Sequence, residues 1–139
     1  MVQLIVGNKG KGKTKHLLDR VNTEVLHASG NIVYIDKSAK HMYELNNKVR
    51  LIDISAYDVT SSDEFIGFVK GIISQDHDLQ QMYFDSFLMI ANTPDHNITE
   101  LINKIEKMSE KFKVDFVISA SMDESELDGS LKDKVIVSL

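Results

Sequence analysis

Eight residues near the start of the chain, Gly7-Asn8-Lys9-Gly10-Lys11-Gly12-Lys13-Thr14, read G-x-x-x-x-G-K-[ST]. The apolar run before them, Val2 to Val6, has the length and continuity of a buried parallel strand. From Lys13 to Ala28, apolar residues fall at Leu17, Leu18, Val21, Val25 and Ala28, which predicts a helix, and Gly30 suits its stop. A strand that turns through glycines directly into a helix opens a βαβ unit, and such units build parallel sheets covered on both faces. Average residue usage puts a chance match in a chain of this length at roughly one in a few hundred.

The rest of the chain continues the alternation. Ile32–Ile35 and Val49–Ile54 predict two more strands, with a short helix from Ser38 to Leu45 between them. Ser61 and Glu64 form a capping-box pattern ahead of the stripe Phe65, Ile66, Val69, Ile72, Ile73. Met82-Tyr83-Phe84 leads into Asp85 as a fourth strand, and Pro94 sits in the polar loop beyond it. Asn97 and Glu100 repeat the capping box before Ile98, Leu101, Ile102, Ile105, Met108 and Phe112. Phe116–Ile118 and Val135–Val137 supply the last two strands. With no repeat or linker, residues 1–139 read as a single α/β domain: a mostly parallel sheet of five to six strands in three αβα layers.

Hydrophobic residues make up 42% and charged residues 27%, which excludes a disordered chain. The opening apolar run is too short for a signal peptide or a membrane span, and no later run reaches spanning length. Cysteine is absent, which removes disulfides and thiolate chemistry and points to the cytoplasm. The net charge of −5, with Arg20 and Arg50 the only arginines, argues against a nucleic-acid interface. Lys9, Lys11, Lys13, Lys15 and Arg20 crowd one stretch and are expected to serve an anion site there. Asp123, Glu124, Glu126 and Asp128 read as a solvated loop, with a docking face for a basic partner as the alternative. None of His16, His27, His41, His77 and His96 has metal-binding spacing, and all are expected at exposed or turn positions.

The chemistry of the glycine-rich segment follows from its composition. Backbone N–H groups can converge on phosphate oxygens only where side chains do not block the approach, which Gly7, Gly10 and Gly12 permit. Lys13 is placed to reach terminal phosphates, the Thr14 hydroxyl to ligate Mg²⁺, and the helix beyond points its positive end at the anion. The segment Gly7, Asn8, Lys9, Gly10, Lys11, Gly12, Lys13, Thr14 is thus a P-loop pattern, and the expected ligand is a nucleoside triphosphate with its magnesium ion, Mg·ATP. Such a site needs a metal-side carboxylate at another strand end, and Asp36, Asp53 and Asp85 all qualify.

The order of elements resembles the RecA-like branch of P-loop ATPases. Ile35-Asp36-Lys37-Ser38 occupies the place of that family's first acidic strand end. Tyr83-Phe84-Asp85-Ser86 occupies the place of its Walker B strand, which implies that Asp85 holds Mg²⁺ together with Thr14. Phe116 to Ser121 occupies the place of the γ-phosphate sensor strand, with Ser119 or Ser121 as the sensor. The resemblance implies a RecA-like fold, with Lys13, Asp36 and Ser121 as catalytic candidates and a cation contributed by a neighbouring subunit.

The chain departs from that family where water is activated. Ser38 and Ser86 stand at the two positions that usually hold the catalytic glutamate, leaving Asp36 or Glu44 as substitutes. The missing glutamate also argues against a twitching-motility motor and against a thymidine kinase. The expectation is an ATP-binding protein with slow hydrolysis, acting as a nucleotide-dependent regulator or as a subunit with a protein partner or further copies of itself. A competent ATPase or small phosphotransferase is the alternative, and a module that keeps only an anion site is the third reading.

Overall fold

The computed structural model describes residues 1–139. Its strands are β1 (Val2–Gly7), β2 (Asn31–Asp36), β3 (Val49–Asp53), β4 (Leu79–Phe84), β5 (Asp115–Ser121) and β6 (Val135–Ser138). They form one sheet in the order β3-β2-β4-β5-β1-β6, with every neighbouring pair parallel. The expected α/β domain is therefore present, with six strands and a sheet that is wholly parallel.

Strands buried on both faces explain the continuous apolar runs. Along β2, Ile32 and Tyr34 face one side and Val33 and Ile35 the other, and all four are buried. Helix α1 (Lys13–Glu24) covers the first side, packing Leu17, Leu18, Val21 and the following Val25 on Ile5, Tyr34, Tyr83 and Val117. Helices α2 (Ser62–Ser74), α3 (Phe87–Ile90) and α4 (Thr99–Phe112) cover the opposite side. There Phe84 meets Phe65 edge-on at 5.3 Å and Phe116 at 5.5 Å between ring centroids. A helix on each side with the sheet between them makes three αβα layers. No helix is long and apolar enough to cross a membrane.

Several boundaries differ from those expected. Helix α1 ends at Glu24, although Val25 continues its apolar stripe into the turn that follows. The segment from Ser38 to Leu45 holds only a 3₁₀ turn, Met42–Glu44, and Ser38 accepts a bond from the Lys40 N–H instead of capping a helix. Ser61 does cap α2, accepting from the Glu64 N–H at 3.1 Å, but Glu64 reaches back to the Thr60 N–H, one residue beyond the expected box. Asn97 caps nothing: Ile98 is the N-cap of α4, and the Asn97 N–H bonds Asp95. Ile98 is buried, so packing sets that entry rather than a cap. Helix α3 had no periodic signal, being a single turn.

Candidate functional site

Because all six strands run the same way, their carboxyl ends share one edge of the sheet, where ligands of parallel sheets bind. That edge carries Gly7, Asp36, Asp53, Asp85 and Ser121, contributed by five different strands or the residue following them. β4 lies between β2 and β5, so Asp85 sits beside the ends of both. The Asp85 N–H extends the ladder by bonding Ile35 O at 2.9 Å. Ser86 then adopts a left-handed conformation, φ 56°, which is uncommon without glycine, and turns the chain sharply into α3.

The Gly7–Thr14 loop crosses this edge. Gly10 and Gly12 have φ of 86° and 93°, with open space where a Cβ would stand. Glycine is required there by backbone conformation and not by crowding. At Gly7, where φ is 154°, crowding adds to the conformational reason: an added Cβ would lie 2.9 Å from that of Leu139. Between Lys9 and Lys15 the Lys11 N–H alone has a protein partner, Asn8 O at 3.3 Å. Helix α1 has no side-chain N-cap and no acidic residue in its first turn. Its free N–H groups and positive end thus face the edge without internal compensation, as an anion site requires.

Lys13 folds back across the loop and donates to Asn8 O at 3.2 Å, with only 7% of the residue exposed. Burial holds its pKa below the ordinary lysine value, and the nearby Asp85 carboxylate partly opposes that shift. Asp85 is 2% exposed and collects three hydroxyl donors. Thr14 and Ser119 donate to Oδ1 at 3.2 and 2.9 Å, and Tyr34 donates to Oδ2 at 2.9 Å. Burial, the Asp85 charge and the bond to it raise the Tyr34 pKa, so the phenol keeps its proton and stays a donor. Asp36, also 2% exposed, accepts the Lys37 N–H at 2.7 Å through Oδ1, while Oδ2 has no partner. Its pKa is raised by burial first and by Asp85 second.

A cleft of about 240 Å³ opens between these groups, and no hydrophobic side chain lines it. Lys9, Lys13, Lys37 and Lys40 bring positive charge to it, and Thr14, Asp85, Ser119 and Ser121 bring oxygens. Four lysines around so small and polar a space match a polyanion rather than an aromatic base. Phosphate oxygens and a hydrated cation fit what is present: unpartnered N–H groups, ammonium groups, a threonine hydroxyl and a buried carboxylate.

The expected residues divide accordingly. Lys9, Gly10, Gly12, Lys13, Thr14, Asp85 and Ser121 meet at the cleft, with Asp36 buried close to Asp85. The Ser119 hydroxyl is committed to Asp85 and accepts the Ser86 N–H, so of the two serines Ser121 is the freer. Asp53 stays out, its carboxylate bonding Ser55 at the start of a 3₁₀ turn. Glu44 is engaged by His41. The basic cluster does not act as one unit. Lys15 pairs with Asp19 and Arg20 with Gln3 and Glu24, while Lys37 and Lys40, which had no motif to mark them, complete the cleft. The acidic loop is not merely solvated: Asp123 and Asp128 cap the 3₁₀ turns Glu124–Glu126 and Gly129–Lys134. His41 stands at a turn, as expected, and also comes within 4.8 Å of Asp36 and Asp85, measured between donor atoms. Asp36 and His41 are five positions apart, and only the β2–β4 pairing brings Asp85 to them, which spacing along the chain does not mark. No protein-family model matches the chain, and no curated protein matches it.

Proposed function

We propose that this chain is a RecA-like P-loop protein that binds a nucleoside triphosphate, with ATP as the expected base form, together with Mg²⁺. The observation that carries the reading is the convergence of Lys13, Thr14 and Asp85 on a lysine-rich cleft where, from Lys9 to Lys15, only the Lys11 N–H has a partner in the protein. In this reading the loop N–H groups and Lys13 bind the phosphates, Thr14 and Asp85 hold the hydrated cation, and Lys37 and Lys40 flank the charge. The cation's contribution is to neutralise phosphate charge. Ser119 and Tyr34 act as positioning residues that hold both oxygens of Asp85.

The same geometry supports slow rather than rapid hydrolysis. Ser38 and Ser86 bring no carboxylate to the usual base positions, and Glu44 is held by His41. Arg20 is tied to Gln3 and Glu24, so it does not supply the missing cation within one molecule. A nucleotide-dependent regulator, or a subunit completed by a partner or a second copy, fits this deficit. One specific observation favours the competent-enzyme alternative: Asp36 Oδ2 is buried without a partner beside Asp85 and has capacity to orient a water. Calorimetric titration with Mg·ATP, followed by phosphate release from the same sample, tests both points. Saturable binding with little release supports the proposal; absence of binding refutes it, and rapid release by the monomer moves the assignment to the alternative.

A further inference from the structure

His41 has no part in the nucleotide reading, yet its surroundings are those of a ligand. Asp36, His41 and Asp85 each bring one donor atom to a cluster in which the atoms lie within 4.8 Å of one another. Oδ2 of Asp36 has no hydrogen-bond partner although the residue is 2% exposed. A buried carboxylate oxygen without a donor is costly and calls for a cation or a proton donor. On Asp85, Oδ1 already accepts from Thr14 and Ser119, whereas Oδ2 accepts only from Tyr34. An ionised carboxylate offers about two lone-pair sites per oxygen, so Asp85 Oδ2 keeps one free.

The imidazole is prepared in the same sense. His41 Nδ1 lies 3.0 Å from Glu44 Oε1, and an ionised carboxylate can only accept. Nδ1 therefore carries the proton in the neutral ring, and the lone pair resides on Nε2. A carboxylate holding the far nitrogen is the outer-shell arrangement that orients metal-binding histidines.

We propose that Asp36, His41 and Asp85 form a binding site for a first-row transition-metal dication such as Zn²⁺ or Mn²⁺, filled without nucleotide. Two carboxylates and one imidazole suit such an ion better than Mg²⁺, which takes oxygen ligands and keeps its waters. Donors about 2.1 Å from a tetrahedral ion lie about 3.4 Å apart. A pair at the 4.8 Å limit must therefore close by about 1.4 Å, a movement assigned to the surface turn carrying His41. Lys13, beside Asp85, and Lys37, beside Asp36, are the positive groups the ion must tolerate. The site goes beyond the nucleotide reading and does not depend on it.

Chelator-treated protein without nucleotide is titrated with ZnCl₂ in a calorimeter, and the titration is repeated in excess MgCl₂. One equivalent is expected to bind in both. His41→Ala and Asp36→Asn should abolish saturable binding. Glu44→Gln, on an exposed residue, should weaken it roughly 10- to 100-fold by releasing the ring. His96→Ala, which breaks the other histidine–carboxylate pair at Glu126, should leave affinity unchanged. Circular dichroism verifies that each variant is folded, and Glu44→Gln keeps the test decisive should a ligand variant fail to fold. Wild-type protein without saturable Zn²⁺ binding overturns the proposal, as does undiminished affinity in both His41→Ala and Glu44→Gln. Failure to bind ATP leaves this result untouched, so the two readings fall separately.

Discussion

Thr14 Oγ1 lies 3.2 Å from Asp85 Oδ1, although 71 positions separate the two residues in the chain. One stands in the first turn of α1 and the other just beyond β4, with β5 between their strands. Ser119 at the end of β5 bridges the gap by donating to the same oxygen at 2.9 Å. Hydroxyl donors thus replace the water that burial takes from Asp85. They also aim the carboxylate at the cleft before any ligand arrives.

Lys13→Met should improve the stability of the free protein while damaging ligand binding. The folded-state pKa of Lys13 is lowered, so its charge opposes folding. That penalty is present below the lowered folded pKa and disappears as pH rises toward the ordinary value of 10.5. Methionine keeps the stem without the charge, so the melting temperature at neutral pH should rise. Loss of a charged donor worth about 1.5–3 kcal/mol should weaken triphosphate binding roughly 10- to 100-fold. Melting curves and calorimetry check the two halves; unchanged affinity removes Lys13 from the site.

Asp85→Asn should reduce the Mg²⁺ dependence of triphosphate binding more than Asp36→Asn does. Asp53→Asn should leave it unaltered, because Asp53 is occupied by Ser55 at the outer strand. Tyr34→Phe should lower stability by about 1–3 kcal/mol, since a buried carboxylate oxygen loses its donor. Nucleotide titrations across a Mg²⁺ series and urea unfolding provide the measurements. A larger metal effect from Asp36→Asn would reassign the metal-side carboxylate.

Asp36 should act on stability with a definite pH sign. Its folded pKa is raised, chiefly by burial, so the ionised form opposes folding. The penalty is full above the raised pKa and is lost as pH falls toward the unfolded value near 3.8. Asp36→Asn should therefore stabilise the metal-free protein at neutral pH, and the advantage should shrink on acidification to that value. Urea unfolding in chelator from neutral pH to about 4 tests this. An advantage that grows on acidification contradicts the assignment.

Turnover by the isolated chain should stay below about 1 s⁻¹, the lower end of ordinary enzymes. Ser38 lies between Lys37 and Lys40, both of which line the cleft. Ser38→Glu should therefore restore a base near the phosphates and raise turnover, with a missing base typically worth about 10²–10⁴ in rate. Steady-state phosphate release from protein shown to be monomeric decides between them. Fast release by the wild type, or no gain in the variant, argues against the deficit at Ser38.

What was legible in the sequence is what depends on neighbours along the chain. The strand, glycine turn and helix from Val2 to Glu24 follow from an apolar run, positive-φ glycines and 3.6-residue spacing. The Ser61 cap was equally local. Asn97 matched the same pattern and failed, because the pattern does not register that burying Ile98 sets how the chain enters α4.

By itself the sequence determined the alternation of strands and helices, the glycine-rich loop with Lys13 and Thr14, and a carboxylate at three strand ends. Only the tertiary structure decided which of those ends meet. The order β3-β2-β4-β5-β1-β6 sets Asp85 beside Asp36, delivers Ser119 to it, and leaves Asp53 on the outermost strand. Lys37, Lys40 and His41 reach the same edge because they leave the carboxyl end of β2, and the β2–β4 pairing then sets them beside Asp85. Strand order reflects how helices cross the sheet to bury both faces, a property of the whole core. Asp36 and His41 are five positions apart, but nothing in the 44 residues from His41 to Asp85 marks the third member, so that meeting is written only in three dimensions.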